Sequence, residues 1–503
     1  MSAWILDKFE QAAEHVPDKV AIEEGAGPSI TYADLLHRVR RLAHAFSRHV
    51  EAPRVLIFMP KQVDAYAAMF AALMAGGFYT PVNAGMSVER VRHVLKTLQP
   101  DIILTNRDFW NDFLRQAGKE PAATVLFGEE LAWEGGVLEQ RKPLHRLAYT
   151  MFTSGSTGMP KGVMIPQSAL EEYVRWVLQG LAITPEDRCS QHPPLGFDIS
   201  ATDIYGSLCT GATLVVLNTE LERLFPARAI RDRRITHWNS VPSIISLMQR
   251  AGQVDTEHLA SLRQCVFIGE PLLPEQLDAM FTARPDLVIY NSYGPTEATV
   301  ACTELPMTQE NYRRFCRHNV AIGEPFGQNR LYLVGGETPD EGELVIAGPQ
   351  LADGYMNDEE KTRAAFRPLP EHGEERAYFT GDWVRRDEHG HLYFISRIDF
   401  QVKIKGHRLE LGEVDAALRK EGLESVATVA NGDELVSFVE GRPPALDDPA
   451  ALRQRLRRRL EEYAIPAAFI IVDKLPRNAN DKIDVKALAQ GLREGAYDKH
   501  ERL

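Results

Sequence analysis

The stretch "TSGSTGMPKG", Thr153 to Gly162, holds three glycines, four hydroxyl side chains, a proline and a lysine in ten positions. Such a run cannot form a helix interior and offers little to a core. Glycines let backbone N–H groups turn toward an anion, hydroxyls add donors, and Lys161 adds a positive charge. The chemistry on offer is a phosphate cradle; read alone, the run could also be a flexible surface turn. It is not a Walker A loop, because no G-K-[ST] stands at the required spacing after Gly155. Nor does it place G-x-G-x-x-G at a strand–helix junction.

The elements that must position this loop alternate along the chain. "RVLIFM" precedes the helical "DAYAAMFAALMAG", and "DIILT", "TLVVL", "THWNSV" and "LVIYNSYG" each abut a helix-patterned segment. That order predicts an α/β fold with mostly parallel sheets. From about Asn329 the texture changes to "NRLYLVG", "GELVIAG" and "GHLYFISR", strands separated by glycine- and acid-rich turns, which predicts a β-rich subdomain. After Asp399, "QVKIKGHRLELGEVDAALRKEG" reads strand, turn, strand, helix, and an amphipathic helix follows in "DPAALRQRLRRRLEEYAI". The expected division is a large domain, 1–398, with its β-rich part from about 329, and a small α+β domain, 399–503. With no long linker between them, any joint near Ile398 to Phe400 is a tight hinge.

Composition narrows the class. With 503 residues, more than one core is expected, and 44% hydrophobic with 25% charged residues is an ordinary globular balance. The formal charge of -13 speaks against nucleic acid or an anionic membrane as partner. The arginine run Arg453 to Arg459 reads as a solvated helix face. Cys189, Cys209, Cys265, Cys302 and Cys316 lack C-x-x-C spacing and read as buried thiols in a reducing compartment. The first residues carry acids where a secretory signal needs a basic start, and Ala65 to Tyr79 is too short to span a bilayer. A cytoplasmic location is expected.

"YTMFTSGSTGMPKGVMI", "NSYGPTEATV", "YFTGDWVRRDEHGHLYFISRID", "FQVKIKGHRLELGEVDAAL" and "LPRNANDKIDVKAL", in this order and spacing, resemble the adenylate-forming superfamily of acyl-CoA synthetases, luciferases and peptide-synthetase adenylation domains. "FDIS" and "RIDFQVKIKGHRLELGEVD" look most like its amino-acid-activating members, and the stand-alone D-alanine–carrier-protein ligases are similar over the whole chain. The resemblance implies attack of a carboxylate on the α-phosphate of ATP, giving an acyl-adenylate, followed by displacement of AMP by a thiol.

It also implies roles. Thr153, Ser154, Gly155, Ser156, Thr157, Gly158 and Lys161 would cradle the outer phosphates. Glu297 would hold Mg²⁺ through a hard oxygen, with Thr296 on the α-phosphate. Tyr293 would stack on adenine beside Gly294, with Asn291, Gly269 and Glu270 reading its edge. Asp382, assisted by Arg397, would take the ribose hydroxyls. Lys482 would reach the substrate carboxylate and α-phosphate as a compact charge on a flexible stem. Asp399 would be the pivot, and Lys403 and Gly406 would line the tunnel for the phosphopantetheine arm.

Asp198 of "FDIS" occupies the position that meets a substrate α-ammonium, which a CoA ligase would not need; by local sequence it could also be a helix N-cap. Ile199, Thr202, Ser243, Val266, Ile268, Ser292, Val300 and Ala301 complete the implied pocket. Thr202, Ser243 and Ser292 offer polar handles and Ile268 shortens the pocket, which points to a small alanine- or serine-like side chain. The chain ends too soon after Lys482 for a fused carrier domain, so a separate carrier protein is the expected acceptor, with CoA second. Three positions depart from the family's habit: Asp481 and Ser396 replace glycines, and Asn83 replaces an aspartate. They keep open a non-catalytic ATP-binding relative; an acyl- or aryl-CoA ligase is a further alternative, against which Asp198 speaks.

Overall fold

The computed structural model describes residues 3–25, 29–118, 121–131, 136–153, 159–398, 401–477 and 483–503. The chain divides into two compact units. The first comprises Met1–Ala84, Thr97–Phe152 and Gly162–Ile398; the second comprises Gly85–Lys96, Thr153–Lys161 and Asp399–Leu503.

Two large sheets carry the first unit, and the alternating runs of the sequence form their strands. In one sheet Val288–Tyr293, Gln264–Ile268, His237–Ser240, Arg188–Gln191, Thr213–Val216 and Val20–Glu24 lie side by side, all parallel. Antiparallel strands complete it, Thr303–Met307 and then Glu324–Pro325 on one side and Ile30–Thr31 on the other. The second sheet is built on Arg54–Phe58, Phe78–Val82, Ile102–Thr105 and Thr124–Phe127, again parallel. Parallel strands covered on both faces are mostly apolar, so most of these runs show little alternation, while Arg188–Gln191 and His237–Ser240 bury the polar Ser190, Gln191, Asn239 and Ser240.

The helix Val63–Met74 explains the most apolar stretch of the chain: every residue from Asp64 to Met74 is buried. It is a core helix, hydrophobic all round, as a helix enclosed on every side must be. No described helix is long and apolar enough to cross a membrane. Helix Tyr32–His49 shows the surface pattern instead, with Leu35, Val39, Leu42 and Phe46 inward and a Thr31 N-cap accepting the Asp34 N–H. The β-rich part is a five-stranded antiparallel sheet of Arg330–Val334, Glu341–Ala347, Glu374–Arg386, Phe366–Leu369 and Leu392–Arg397.

In the second unit the hairpin Gln401–Ile404/His407–Glu410 turns through Lys405 and Gly406, with φ of 50° and 81°. The left-handed pair is what a two-residue hairpin turn requires, and glycine accepts it without cost. Helix Leu411–Lys420 follows, then a sheet of Val426–Asn431, Glu434–Glu440 and Ala468–Val472. Arg90 lies inside this unit, its Nη2 3.1 Å from Glu413 Oε1 and its Nη1 3.7 Å from Glu461 Oε1. Burial pushes the Glu413 carboxyl up to about 7; Arg90 opposes the shift, while Glu461 and Glu410 add to it.

The arginine run departs from expectation. The helix stops at Leu456, and the chain goes on through turns and a short 3₁₀ segment, Glu462–Ala464. Arg457 and Arg458 are exposed, while Arg455 bonds Glu421 at 2.8 Å, Arg457 bonds Glu462 at 2.8 Å and Arg459 bonds Glu89 at 3.0 Å. Arg453 donates to the Ala467 carbonyl at 2.9 Å. All five cysteines are thiols, four of them buried and Cys316 partly open.

Candidate active site

The strand Val288–Tyr293 ends in a tight loop at the center of the candidate site. A Cβ on Gly294 would lie 2.5 Å from the Ala301 Cα and 2.6 Å from the Val300 carbonyl oxygen, so only glycine lets the loop fold back on itself. Thr299 and Val300 follow with left-handed φ of 55° and 70°, a costly region for β-branched residues. What holds them is Gln350, almost fully buried. Its Nε2 donates to the Ala301 carbonyl at 2.7 Å and its own carbonyl accepts the Thr299 hydroxyl at 2.6 Å. Inside the loop, Glu297 is 0% exposed, and its Oε1 accepts the Tyr355 hydroxyl at 2.8 Å. Thr296 precedes it at the start of the single 3₁₀ turn Thr296–Ala298.

Beside this loop, Asp382 is buried and held from two sides. The Tyr293 hydroxyl donates to Oδ2 and Arg397 Nη1 donates to Oδ1 at 2.7 Å. Burial and the Asp382 carboxylate together push the Tyr293 phenol well above its usual range, so it remains a donor. Asn291, on the same strand, donates its Nδ2 to the Ala321 carbonyl at 2.8 Å.

Asp198 stands on the loop that enters helix Ser200–Leu208, and it is not an N-cap: Ile199 holds that place, without a side-chain bond. Its Oδ2 is enclosed and has no hydrogen-bond partner among the described residues. Burial raises this carboxyl to about 6; the Thr296 hydroxyl opposes that, the Glu297 carboxylate adds to it, and the N–H groups of Ile199 and Val300 oppose it. An enclosed carboxylate oxygen without a donor is costly, and a cation would relieve it.

Neighboring strands place Asn239 opposite Val266 and Ile268 opposite Ser292. Asn239 is a residue that sequence reasoning missed. Its Nδ2 donates to the Ile199 carbonyl at 3.0 Å, while its Oδ1, like the Ser292 Oγ, is enclosed without a partner among the described residues. Ser243 instead opens helix Pro242–Arg250, where its N–H donates to Glu270 Oε2 at 2.8 Å. The Thr202 hydroxyl is 2.6 Å from the Tyr173 hydroxyl, so this handle already has a partner. Gly269 follows Ile268 with φ of 98°.

Among the expected residues, Ile199, Val300 and Ala301 stand with Asp198, Thr296 and Glu297 in the first unit. Thr153, Lys161, Lys403 and Gly406 belong to the second. Ser154, Gly155, Ser156, Thr157, Gly158, Asp399, Asp481 and Lys482 lie outside the described residues. No cluster of three or more His, Cys, Asp or Glu side chains among the described residues could hold a metal alone. Glu297 fits a Mg²⁺ that is bound through one carboxylate and completed by phosphate oxygens and water.

The sequence pattern of the AMP-binding enzyme family, described as "AMP-binding enzyme", matches residues 9–356. Tyrocidine synthase 3 of Brevibacillus parabrevis is 34% identical over 96% of this chain, which spans only 7% of that protein's length. The D-alanine–D-alanyl carrier protein ligase of Lacticaseibacillus rhamnosus is 31% identical, with 95% of this chain and 96% of that protein covered. Among solved structures, the Vibrio cholerae adenylation domain AlmE, in complex with glycyl-adenosine-5'-phosphate, is similar at 27% identity and a TM-score of 0.85, covering 98% of each chain.

Proposed function

The chain belongs to the AMP-binding enzyme family, and from that premise we propose that it is an ATP-dependent ligase that adenylates a small amino acid and passes it to the phosphopantetheine thiol of a separate carrier protein. The enclosed, unpartnered Oδ2 of Asp198 carries the amino-acid part of this reading, since an α-ammonium supplies the donor and charge it lacks. A relative named for D-alanine and its carrier protein, similar along nearly its whole length, supports the acceptor. The small side chain is supported by Ile268, by the prior engagement of Thr202 and by the glycyl ligand of the Vibrio cholerae neighbor.

The chemistry follows from these groups. The substrate carboxylate oxygen forms a bond to the α-phosphorus as the bond to pyrophosphate breaks. Two anions must meet, so positioning and charge neutralization are the main demands. Asp198 fixes the ammonium end, Thr296 bonds the α-phosphate and Asp382, oriented by Tyr293 and Arg397, takes the ribose hydroxyls. Glu297 would hold a Mg²⁺ ion, which when bound would supply positive charge to the phosphates. Residues 153–161 cradle the outer phosphates and Lys482 bridges carboxylate and α-phosphate. A carrier thiol, losing its proton, then adds to the acyl carbon and AMP departs. The reading carries with it a division of work between a core of 1–398 and a small domain of 399–503, pivoting at Asp399, with Lys403 and Gly406 along the thiol's path, and a cytoplasmic setting.

The deciding experiment is ATP–pyrophosphate exchange with glycine, D- and L-alanine, D- and L-serine, threonine and simple carboxylic acids. Exchange with one small amino acid is expected. Exchange only with acids lacking an amine would replace the reading by a CoA ligase, and ATP binding without any exchange would replace it by a non-catalytic one.

A further inference from the structure

The loop that presents Asp198 runs from the end of strand Arg188–Gln191 to the start of helix Ser200–Leu208, and it includes Pro193, Pro194 and Gly196. Two asparagine side chains hold its backbone on either side of the carboxylate. After Asp198, Asn239 Nδ2 donates to the Ile199 carbonyl at 3.0 Å. Before it, the Gly196 N–H donates to Asn83 Oδ1 at 2.9 Å. The second contact reaches 113 residues back in sequence, to just beyond strand Phe78–Val82 of the other large sheet.

The approach at Gly196 is close enough that a side chain there would push the Asn83 amide aside. A Cβ there would lie 2.9 Å from Asn83 Oδ1 and 3.0 Å from both Cγ and Nδ2. Glycine at 196 and an acceptor at 83 therefore form one contact; Lys61 ties the start of the loop through the Gln191 and His192 carbonyls, and Asn83 ties the part next to Asp198. The Asp198 Oδ2 has no hydrogen-bond donor of its own among the described residues. The Thr296 hydroxyl and the Ile199 and Val300 N–H groups meet the carboxyl, and the held backbone of the loop sets where that carboxyl stands against a substrate.

We propose that Asn83 is a positioning residue for the substrate ammonium: by accepting the Gly196 N–H it fixes the loop that delivers Asp198. The proposal rests on the amino-acid reading of the site. Asn83 touches neither substrate nor nucleotide in this scheme; it acts through the loop. Its Oδ1 is the atom used, so an aspartate would keep the bond and an alanine would lose it.

The test compares the full-length chain with Asn83→Ala and Asn83→Asp in pyrophosphate exchange, using the amino acid that best supports exchange by the parent. Asn83→Ala is expected to raise KM for the amino acid about tenfold or more and to leave KM for ATP within about twofold, because a misplaced Asp198 weakens ammonium binding alone. Asn83→Asp is expected to return the amino-acid KM to within about threefold of the parent. Hydrogen exchange of the peptide containing Gly196 should quicken in the alanine variant and not in the aspartate variant. An unchanged amino-acid KM in Asn83→Ala, or equal losses for both substrates, would overturn the role of Asn83 and leave the amino-acid reading standing. If the parent exchanges with acids lacking an amine and with no amino acid, the amino-acid reading falls first and takes this proposal with it.

Discussion

Tyr293 and Asp382, 89 residues apart in sequence, share a 2.5 Å hydrogen bond in the buried floor of the first unit. Arg397 closes on the opposite carboxylate oxygen, so both oxygens are aimed before any ligand arrives. Removing the Tyr293 hydroxyl deletes a bond to a charged group, a loss of about 1.5–3 kcal/mol at most. Tyr293→Phe is expected to raise KM for ATP in the exchange assay, and Asp382→Asn to raise it further. Equal amino-acid KM values in parent and variants would locate the effect on the nucleotide side.

Asp198 gives opposite signs for stability and activity. Its folded value of about 6 lies above the ordinary 3.8. Its contribution to stability is therefore present below the ordinary value and is lost as pH rises through about 6. At pH 8 Asp198→Asn should gain stability, by up to about 3 kcal/mol in a urea titration, while amino-acid-dependent exchange falls by about a hundredfold or more. In the parent, kcat/KM for the amino acid should decline as pH falls below about 6, because the ammonium partner is then neutral.

Gln350 tests what keeps the loop in its strained form. Gln350→Ala leaves the Ala301 carbonyl without its side-chain donor, while the Thr299 hydroxyl keeps the main-chain carbonyl of residue 350, at a cost of about 1–3 kcal/mol. Loss of stability together with a higher amino-acid KM is the expected result. Loss of stability alone would show that the loop keeps its shape without the clamp.

Glu413 predicts a second pH dependence, in the second unit. Its carboxyl, near 7 against an ordinary 4.5, contributes stability that is present below the ordinary value and is lost as pH rises through about 7. Glu413→Gln should raise the unfolding midpoint at pH 8.5 and change it little at pH 5. Arg90→Met, which leaves buried carboxylates uncompensated, should cost about 3–5 kcal/mol at pH 8.

The two half-reactions should separate by substitution. Lys482→Ala is expected to abolish exchange. Gly406→Val, forced into a φ of 81°, should keep exchange and slow transfer to a carrier thiol. Chelation of Mg²⁺ should stop exchange in the parent, and Glu297→Gln should raise the Mg²⁺ concentration needed to restore it.

Strands such as "RVLIFM" and "TLVVL" and the helix of "DAYAAMFAALMAG" were legible as apolar runs, whereas Arg188–Gln191, polar in type yet largely buried, carried no such signal. Asp198, Glu297 and Asp382 stood out because each belongs to a short motif. Asn239 and Gln350 did not, since a lone amide in a buried stretch has no periodic signature. Their meaning lies in carbonyls 40 and 49 residues away. Ser243 rests on motif spacing alone; its backbone N–H at the start of helix Pro242–Arg250 donates to Glu270. The membership of Gly85–Lys96 in the second unit was equally hidden, because it rests on Arg90 meeting acids more than 300 residues later.

Val300 carries one more consequence, for the redesign of specificity. A β-branched residue held at a φ of 70° is strained before any substrate enters, whereas asparagine or glycine would occupy that backbone more easily. Most substitutions that open a binding pocket weaken the protein that carries them. In the proposed pocket, a smaller or more permissive residue at position 300 would relax the chain as it widened the space, so position 300 is where new substrates could be selected without first fortifying the scaffold.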